Sequence, residues 1–279
     1  MPLVQDTNYY SLAPRGQIVL FGDSITQNAF VSGDGASGFA AQIAHRYSRR
    51  ADVLNRGYSG YTTRFGRSVL PRLPLGAATL LTVIFFGAND AALLSEDPHH
   101  HVPLEEYKDH LQAMVQDAKH RTRSNRIVLV APPPVHHAMR FKFQKDRYGE
   151  KATGRLQRRD DTTGEYAAAC RAVATSENVP VLDLWSMMRA GEDCIDSDDP
   201  QDVFRPYLSD GLHLSARGNA FVGENLIALI DASFPELAVV PCQFTGSVAN
   251  SGSSSQLKVD MPYHDKIDHA DVEASFAKK

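Results

Sequence analysis

Cysteine is scarce in this chain, with three in 279 residues at Cys170, Cys194 and Cys242. Their number and wide spacing argue against a disulfide framework, and no two of them have metal-ligand spacing. They read as buried or incidental thiols of a reducing compartment, the cytoplasm. Long apolar runs are missing too. The run Leu80 to Phe86 is internal and falls far short of the ~18 residues that a membrane span needs. The opening Met1-Pro2-Leu3-Val4-Gln5-Asp6 has no basic region followed by an apolar core, so no signal peptide is expected. Charge excess is absent. A net charge of −4 gives no reason to expect nucleic acid or an acidic membrane as partner. No Gly-x-Gly-x-x-Gly or Walker pattern follows Gly22, so no phosphate cradle and no nucleotide cofactor are expected. The final Ala277-Lys278-Lys279 is not a Ser-Lys-Leu address.

What is present is an ordinary globular balance, 43% hydrophobic and 22% charged. The length suits one domain of roughly 200–250 residues with extra segments. We assign residues 1–15 to an irregular lead-in, 16–243 to the main domain and 244–279 to a flexible linker and tail. The linker assignment rests on the Gly/Ser-rich stretch 245–256.

Hydrophobic periodicity places the elements. Strands are expected at Gln17 to Phe21, Asp52 to Asn55, Leu80 to Phe86, Arg126 to Ala131 and Val179 to Leu184. Helical spacing covers Ala36 to Arg50, Thr62 or Thr63 to about Leu70, and a helix opened by Pro103-Leu104-Glu105-Glu106 and running to about Arg121. It also covers Thr162 to Glu177, and Ser215 to Ala232 with Ser215 as cap. Pro71 and Pro74 are expected to stop the second of these helices. Asn28 to Gly38 reads as a loop, and residues 192–202 as an acidic loop. Residues 136–160 are polar, with basic and acidic side chains interleaved, and read as a solvated, partly helical surface excursion. Alternating strands and helices predict an α/β fold, a parallel sheet with helices on both faces. In such sheets ligands bind beyond the carboxyl ends of the strands.

That rule gathers a site. Phe21-Gly22-Asp23-Ser24 leaves the first strand, Gly57 follows the second and Asn89 the third. Asp210-Gly211-Leu212-His213 follows the fifth after an intervening excursion and loop. Ser24 is the candidate nucleophile and needs a base within hydrogen-bond reach. His213 is that base, and Asp210, three residues earlier, orients its ring. The N–H groups of Ser24 and Gly57 and the side-chain amide of Asn89 are the candidate oxyanion donors. Asp23, although inside the motif, is expected to support the turn. Each residue alone has an ordinary reading: helix cap, tight turn, or core histidine. Those readings do not account for all of them reaching one edge of the sheet. The triple His99-His100-His101, with His136 and His137, has no matched acidic spacing, so no metal site is expected.

The four segments resemble the SGNH (GDSL-type) hydrolases. The residues carrying the resemblance are Phe21-Gly22-Asp23-Ser24, Asn55-Arg56-Gly57-Tyr58-Ser59-Gly60, Phe86-Gly87-Ala88-Asn89-Asp90 and Ser209-Asp210-Gly211-Leu212-His213. It covers roughly residues 16–240 and is closest in pattern to the isoamyl-acetate-hydrolysing esterases. It implies a three-layer α/β/α, flavodoxin-like fold with a five-stranded parallel sheet. It implies a Ser24, Asp210, His213 triad with Gly57 and Asn89 as oxyanion donors, and hydrolysis of a small-molecule short-chain acyl ester with no cofactor. The excursion 136–160, the acidic loop and the linker depart from the family pattern and bear on substrate preference. Met261-Pro262-Tyr263 faintly resembles a tail of this subgroup that folds back on the body or joins an interface, as in a homodimer. The alternatives are a lysophospholipid, an acyl thioester or an acetylated sugar as substrate, and a non-catalytic binding module of the same fold.

Overall fold

A computed structural model describes residues 10–11, 13–32, 35–190 and 199–239, with 257, 259–260, 267, 270–271 and 276 of the tail. Part of the expected loop at 28–38, most of the acidic loop 192–202, the linker 245–256, Cys194, Cys242 and Met261-Pro262-Tyr263 lie outside the described residues.

Five parallel strands form the central sheet. They are β1 (Gly16–Gly22), β2 (Ala51–Gly57), β3 (Thr79–Phe85), β4 (Ile127–Ala131) and β5 (Val181–Asp183), in spatial order 2-1-3-4-5. The register sets Gly22 of β1 opposite Gly57 of β2 and Phe85 of β3, so three strands end level with one another. The chain order reverses direction at β1, the place in such sheets where ligands bind beyond the carboxyl ends.

Side chains alternate across a strand, and the sequence uses that period to feed two cores. Ile18 and Leu20 face one side with Leu81, Val83, Phe85, Val128 and Val130; Val19 and Phe21 face the other with Ile84, Ile127 and Leu129. The first core is covered by α2 (Phe39–Arg46) and α8 (Ala216–Ser233), the second by α4 (Leu104–Arg121) and α6 (Asp160–Ser176). The architecture is therefore α/β/α in three layers.

The helices form where spacing and ends agree. In α4 the buried Tyr107, Leu111, Met114, Val115 and Ala118 recur at three and four residues. Glu105 and Glu106 lie in its first turn and Lys119, His120 and Arg121 in its last, each complementing the helix dipole. In α8, Ser215 accepts a hydrogen bond from Gly218 N at 3.1 Å, and Val222, Leu226 and Ile230 bury one face. Burying one such leucine contributes about 2 kcal/mol. Among the described residues no helix is long and apolar enough to cross a membrane.

Helix α3 (Thr63–Val69) ends before Pro71 as expected, and the chain passes into a 3-10 turn, Leu70–Arg72, with Pro71 at an early position where no N–H donor is required. Three expectations need correction. Helix α2 is shorter at both ends than the spacing predicts, and Arg49 beyond it has φ 62°. Strand β5 is only three residues, because Asp183 already caps α7 (Leu184–Arg189) by accepting from Ser186 N. The excursion is not simply solvated. It contains α5 (His137–Tyr148), and Arg140, Gln144 and Arg158 are buried.

The lead-in and tail also meet. Tyr10–Ser11 pairs in parallel with Val259–Asp260. Asp260 accepts from Arg15 Nε at 2.7 Å, and its N–H donates to Arg49 O at 2.6 Å. Arg15 and Arg49 lie next to the starts of β1 and β2, so this junction sits at the amino end of the sheet.

Candidate active site

Strand β1 delivers Ser24 through a turn too tight for any other residue at position 22. A Cβ on Gly22 would lie 2.2 Å from Thr26 Oγ1 and 2.4 Å from Phe85 O. Asp23 then caps the short helix α1 (Ser24–Gln27), its Oδ1 accepting from Ile25 N at 2.9 Å. Ser24 is the first residue of α1 and is 7% exposed. Its Oγ lies 2.9 Å from His213 Nε2.

His213 and Asp210 arrive as one folded segment. Asp210 Oδ1 accepts from Leu212 N at 3.0 Å and His213 N at 2.8 Å, and Oδ2 lies 2.9 Å from His213 Nδ1. Gly211 between them has φ 83°, and a Cβ there would lie 2.5 Å from both Arg140 N and His136 O. A carboxylate can only accept, so the ring proton sits on Nδ1 and Nε2 is left to accept the Ser24 hydroxyl.

Asp210 has a further partner. Arg140 Nη1 donates to its Oδ2 at 3.0 Å. Burial opposes the carboxylate charge, but the His213 hydrogen bond, the His213 ring and Arg140 outweigh it and hold Asp210 well below the usual carboxylate range. Asp23 is the opposite case. It is fully buried, its Oδ2 has no partner among the described residues, and burial raises it to about 7 despite the Ile25 hydrogen bond. It caps α1, whereas Asp210 is the acid that touches His213.

Asn89 lies four residues past the end of β3 and is 5% exposed. Its Nδ2 donates to Tyr61 O at 2.9 Å, and its Oδ1 accepts from Arg158 Nη2 at 3.0 Å. The next residue, Asp90, accepts from Thr63 N at 2.8 Å and so fixes the start of α3; burial raises it to about 6.

Gly57 sits differently from the expectation. Its N–H donates to Asn55 Oδ1 at 2.8 Å, so the amide is already engaged. A Cβ on Gly57 would lie 2.0 Å from Gln27 N, so the glycine serves to let α1 rest on β2. Gly60 was not among the expected site residues. It has φ 77°, and its N–H has no acceptor among the described residues. Its neighbours place it between α1 and Asn89, because Ser59 N donates to Gln27 Oε1 and Tyr61 O accepts from Asn89. The signal was available as the second glycine of the same block.

The remaining candidates are engaged elsewhere. His100 Nδ1 contacts Asp97, His101 Nδ1 contacts Ala92 O, and His136 Nε2 contacts Asp202. Cys170 is buried, and burial pushes its thiol up to about 12, where it has little thiolate character. A cavity of about 620 Å³ is lined by His137, Trp185 and Arg189 among others, but by none of Ser24, Asp210 and His213.

Residues 20–221 match the family model described as GDSL-like Lipase/Acylhydrolase. The chain belongs to that family. A human isoamyl acetate-hydrolyzing esterase 1 homolog is 42% identical over 234 residues, covering 82% of this chain and 86% of that one. A GDSL esterase/lipase of Arabidopsis thaliana is 37% identical over 269 residues, covering 95% of this chain and 99% of its own. The crystal structure of the lipase/acylhydrolase from Enterococcus faecalis shares the fold with a TM-score of 0.59 at 24% identity, covering 78% of this chain and 96% of that one. As a GDSL-family member the protein is a carboxylic ester hydrolase, an esterase or acylhydrolase on a flavodoxin-like α/β/α fold.

Proposed function

We propose that this GDSL-family protein is a serine esterase acting on short-chain acyl esters through an acyl-enzyme. The observation that carries the reading is the unbroken line from Ser24 Oγ to His213 Nε2 and from His213 Nδ1 to Asp210, 2.9 Å at each contact. In this mechanism Ser24 Oγ bonds to the ester carbonyl carbon while its proton passes to His213 Nε2. The carbonyl π-electrons move to oxygen, and the resulting oxyanion is held by the Ser24 N–H and the second N–H of Asn89 Nδ2. Gly57 was the expected third donor. Because its N–H is engaged by Asn55, Gly60 is the better candidate. The tetrahedral centre collapses, the carbon–oxygen bond to the alcohol breaks, and His213 returns its proton to the leaving alkoxide. Water then attacks the acyl carbon, losing a proton to His213, and Ser24 leaves as the restored hydroxyl.

Asp210 keeps the His213 ring oriented and stabilises its charge during each transfer. The preference for short, isoamyl-acetate-like esters is supported by relatives of that name at 42% identity in human and 31% in Saccharomyces cerevisiae. A cytoplasmic location is supported by the scarcity of cysteine and the burial of Cys170.

The test is a series of p-nitrophenyl esters from acetyl to palmitoyl, run on the wild type and on Ser24→Ala. The expected result is a rate maximum among the shortest acyl groups and a loss of at least ~1,000-fold in kcat for Ser24→Ala. Preference for palmitoyl, or for an acetylated sugar tested alongside, would overturn the short-ester assignment. Full turnover by Ser24→Ala would overturn the serine mechanism.

A further inference from the structure

The run of charge at 136–160 reads in sequence as a solvated face, yet Arg158 is 3% exposed. A guanidinium taken out of water is costly unless its donors are matched. Here they are. Nε donates to Ala88 O at 2.8 Å, Nη2 donates to Asn89 Oδ1 at 3.0 Å, and Nη1 lies 3.5 Å from Asp97 Oδ2. An antiparallel backbone bridge between Ala92 and Arg158, which includes the bond from Leu93 N to Gln157 O at 2.8 Å, holds this part of the excursion against the loop after β3. Burial lowers Arg158 to about 10, so it stays cationic at neutral pH.

A side-chain amide can present either its oxygen or its nitrogen to a neighbour, and shape alone does not decide which. At Asn89 the chemistry decides. A guanidinium only donates, so the amide atom facing Arg158 must be the oxygen. A backbone carbonyl only accepts, so the atom facing Tyr61 O must be the nitrogen. The guanidinium therefore fixes which end of the amide is the nitrogen, with one N–H on Tyr61 O and a second left to donate. It also draws electron density toward Oδ1, which strengthens Nδ2–H as a donor. Asp97, itself held by His100 Nδ1 at 2.9 Å, balances the buried cation without competing for Asn89.

We propose that Arg158 is a positioning residue for catalysis, locking and polarising the Asn89 amide that receives the oxyanion. The inference rests on the serine-esterase reading and deepens it. The excursion is thereby part of the catalytic framework: Arg158 sets the oxyanion amide and Arg140 braces the triad acid.

A double-mutant cycle on p-nitrophenyl acetate tests it, using Arg158→Met, Asn89→Ala and the pair, with kcat and KM measured separately and folding checked by thermal melting. Asn89→Ala is expected to lower kcat about 100-fold, as loss of one oxyanion donor does. Arg158→Met is expected to lower kcat at least ~10-fold with KM nearly unchanged, and the double variant to be no worse than Asn89→Ala alone. Additive losses, a loss confined to KM, or full kcat in folded Arg158→Met would overturn the proposal. If Arg158→Met does not fold, Arg158→Lys takes its place in the cycle: it keeps the charge but loses the fork, and the same non-additivity is expected. Ser24→Ala is run in parallel. An inactive Ser24→Ala beside an additive cycle refutes Arg158 alone, whereas an active Ser24→Ala refutes the underlying mechanism.

Discussion

Two aspartates near one serine have opposite fates, and hydrogen-bond partners decide which. Asp210 receives two backbone N–H groups, the His213 ring and Arg140, and is held low. Its contribution to stability is present above its unfolded value and is lost only as pH falls through the depressed folded value, so it remains a carboxylate under mildly acidic conditions. Asp23 receives one N–H and is raised to about 7. The sign is reversed there. The folded state holds the proton longer than the unfolded chain, so Asp23 costs stability progressively as pH rises from about 4 toward 7. Asp23→Asn cannot ionise and keeps an oxygen for Ile25 N. Its stability relative to wild type is expected to improve between pH 5 and pH 8, read from urea unfolding at both values. A constant difference would show that Asp23 is ionised throughout.

At the scale of elements, the functional turn depends on how closely α1 rests on β2. Gly57→Ala would force a Cβ to within 2.0 Å of the Gln27 backbone. The expected cost is about 3 kcal/mol in urea unfolding, with reduced activity because α1 carries Ser24. At Gly60 the nearest atom to an added Cβ is His100 Nε2 at 3.5 Å, so Gly60→Ala should lose only about 1 kcal/mol, from its positive φ. Strand ends and blocks of small residues were readable in the sequence because period-2 burial and tight turns leave local marks. Ser24, Asp210 and His213 were each found that way, and the structure brings them into contact. The choice between Gly57 and Gly60 was not readable, since it turns on where the Asn55 side chain points. Arg140 and Arg158 were hidden for a related reason. An arginine in a charged stretch looks solvated, and only packing buries these two, Arg158 against the loop after β3 and Arg140 against the Asp210–His213 segment.

Across the whole molecule, the Ser24 site and the Tyr10–Ser11/Val259–Asp260 pairing occupy opposite edges of the sheet. Ser24, Asn89 and His213 gather beyond the carboxyl ends, while Tyr10–Ser11, Arg15, Arg49 and Asp260 meet beside the strand starts. Asp260→Ala removes the carboxylate that lies 2.7 Å from Arg15 Nε and 3.6 Å from Arg49 Nε. Both arginines are about a third exposed and solvent screens the pair, so only a small loss of stability is expected in urea unfolding, with kcat and KM unchanged. A fall in kcat would show that the junction communicates with the site. The layered core was readable in the sequence from its strand and helix periods. This junction was not, because a two-residue ladder carries no periodicity.

That polarity has a practical side. A seven-residue strand spans roughly 20 Å, which separates Asp260 from the mouth of the site by about the depth of the sheet. A tether to a bead or electrode placed beside Asp260 would therefore hold the enzyme by its underside. Every molecule on such a support would present Ser24 to the passing solution.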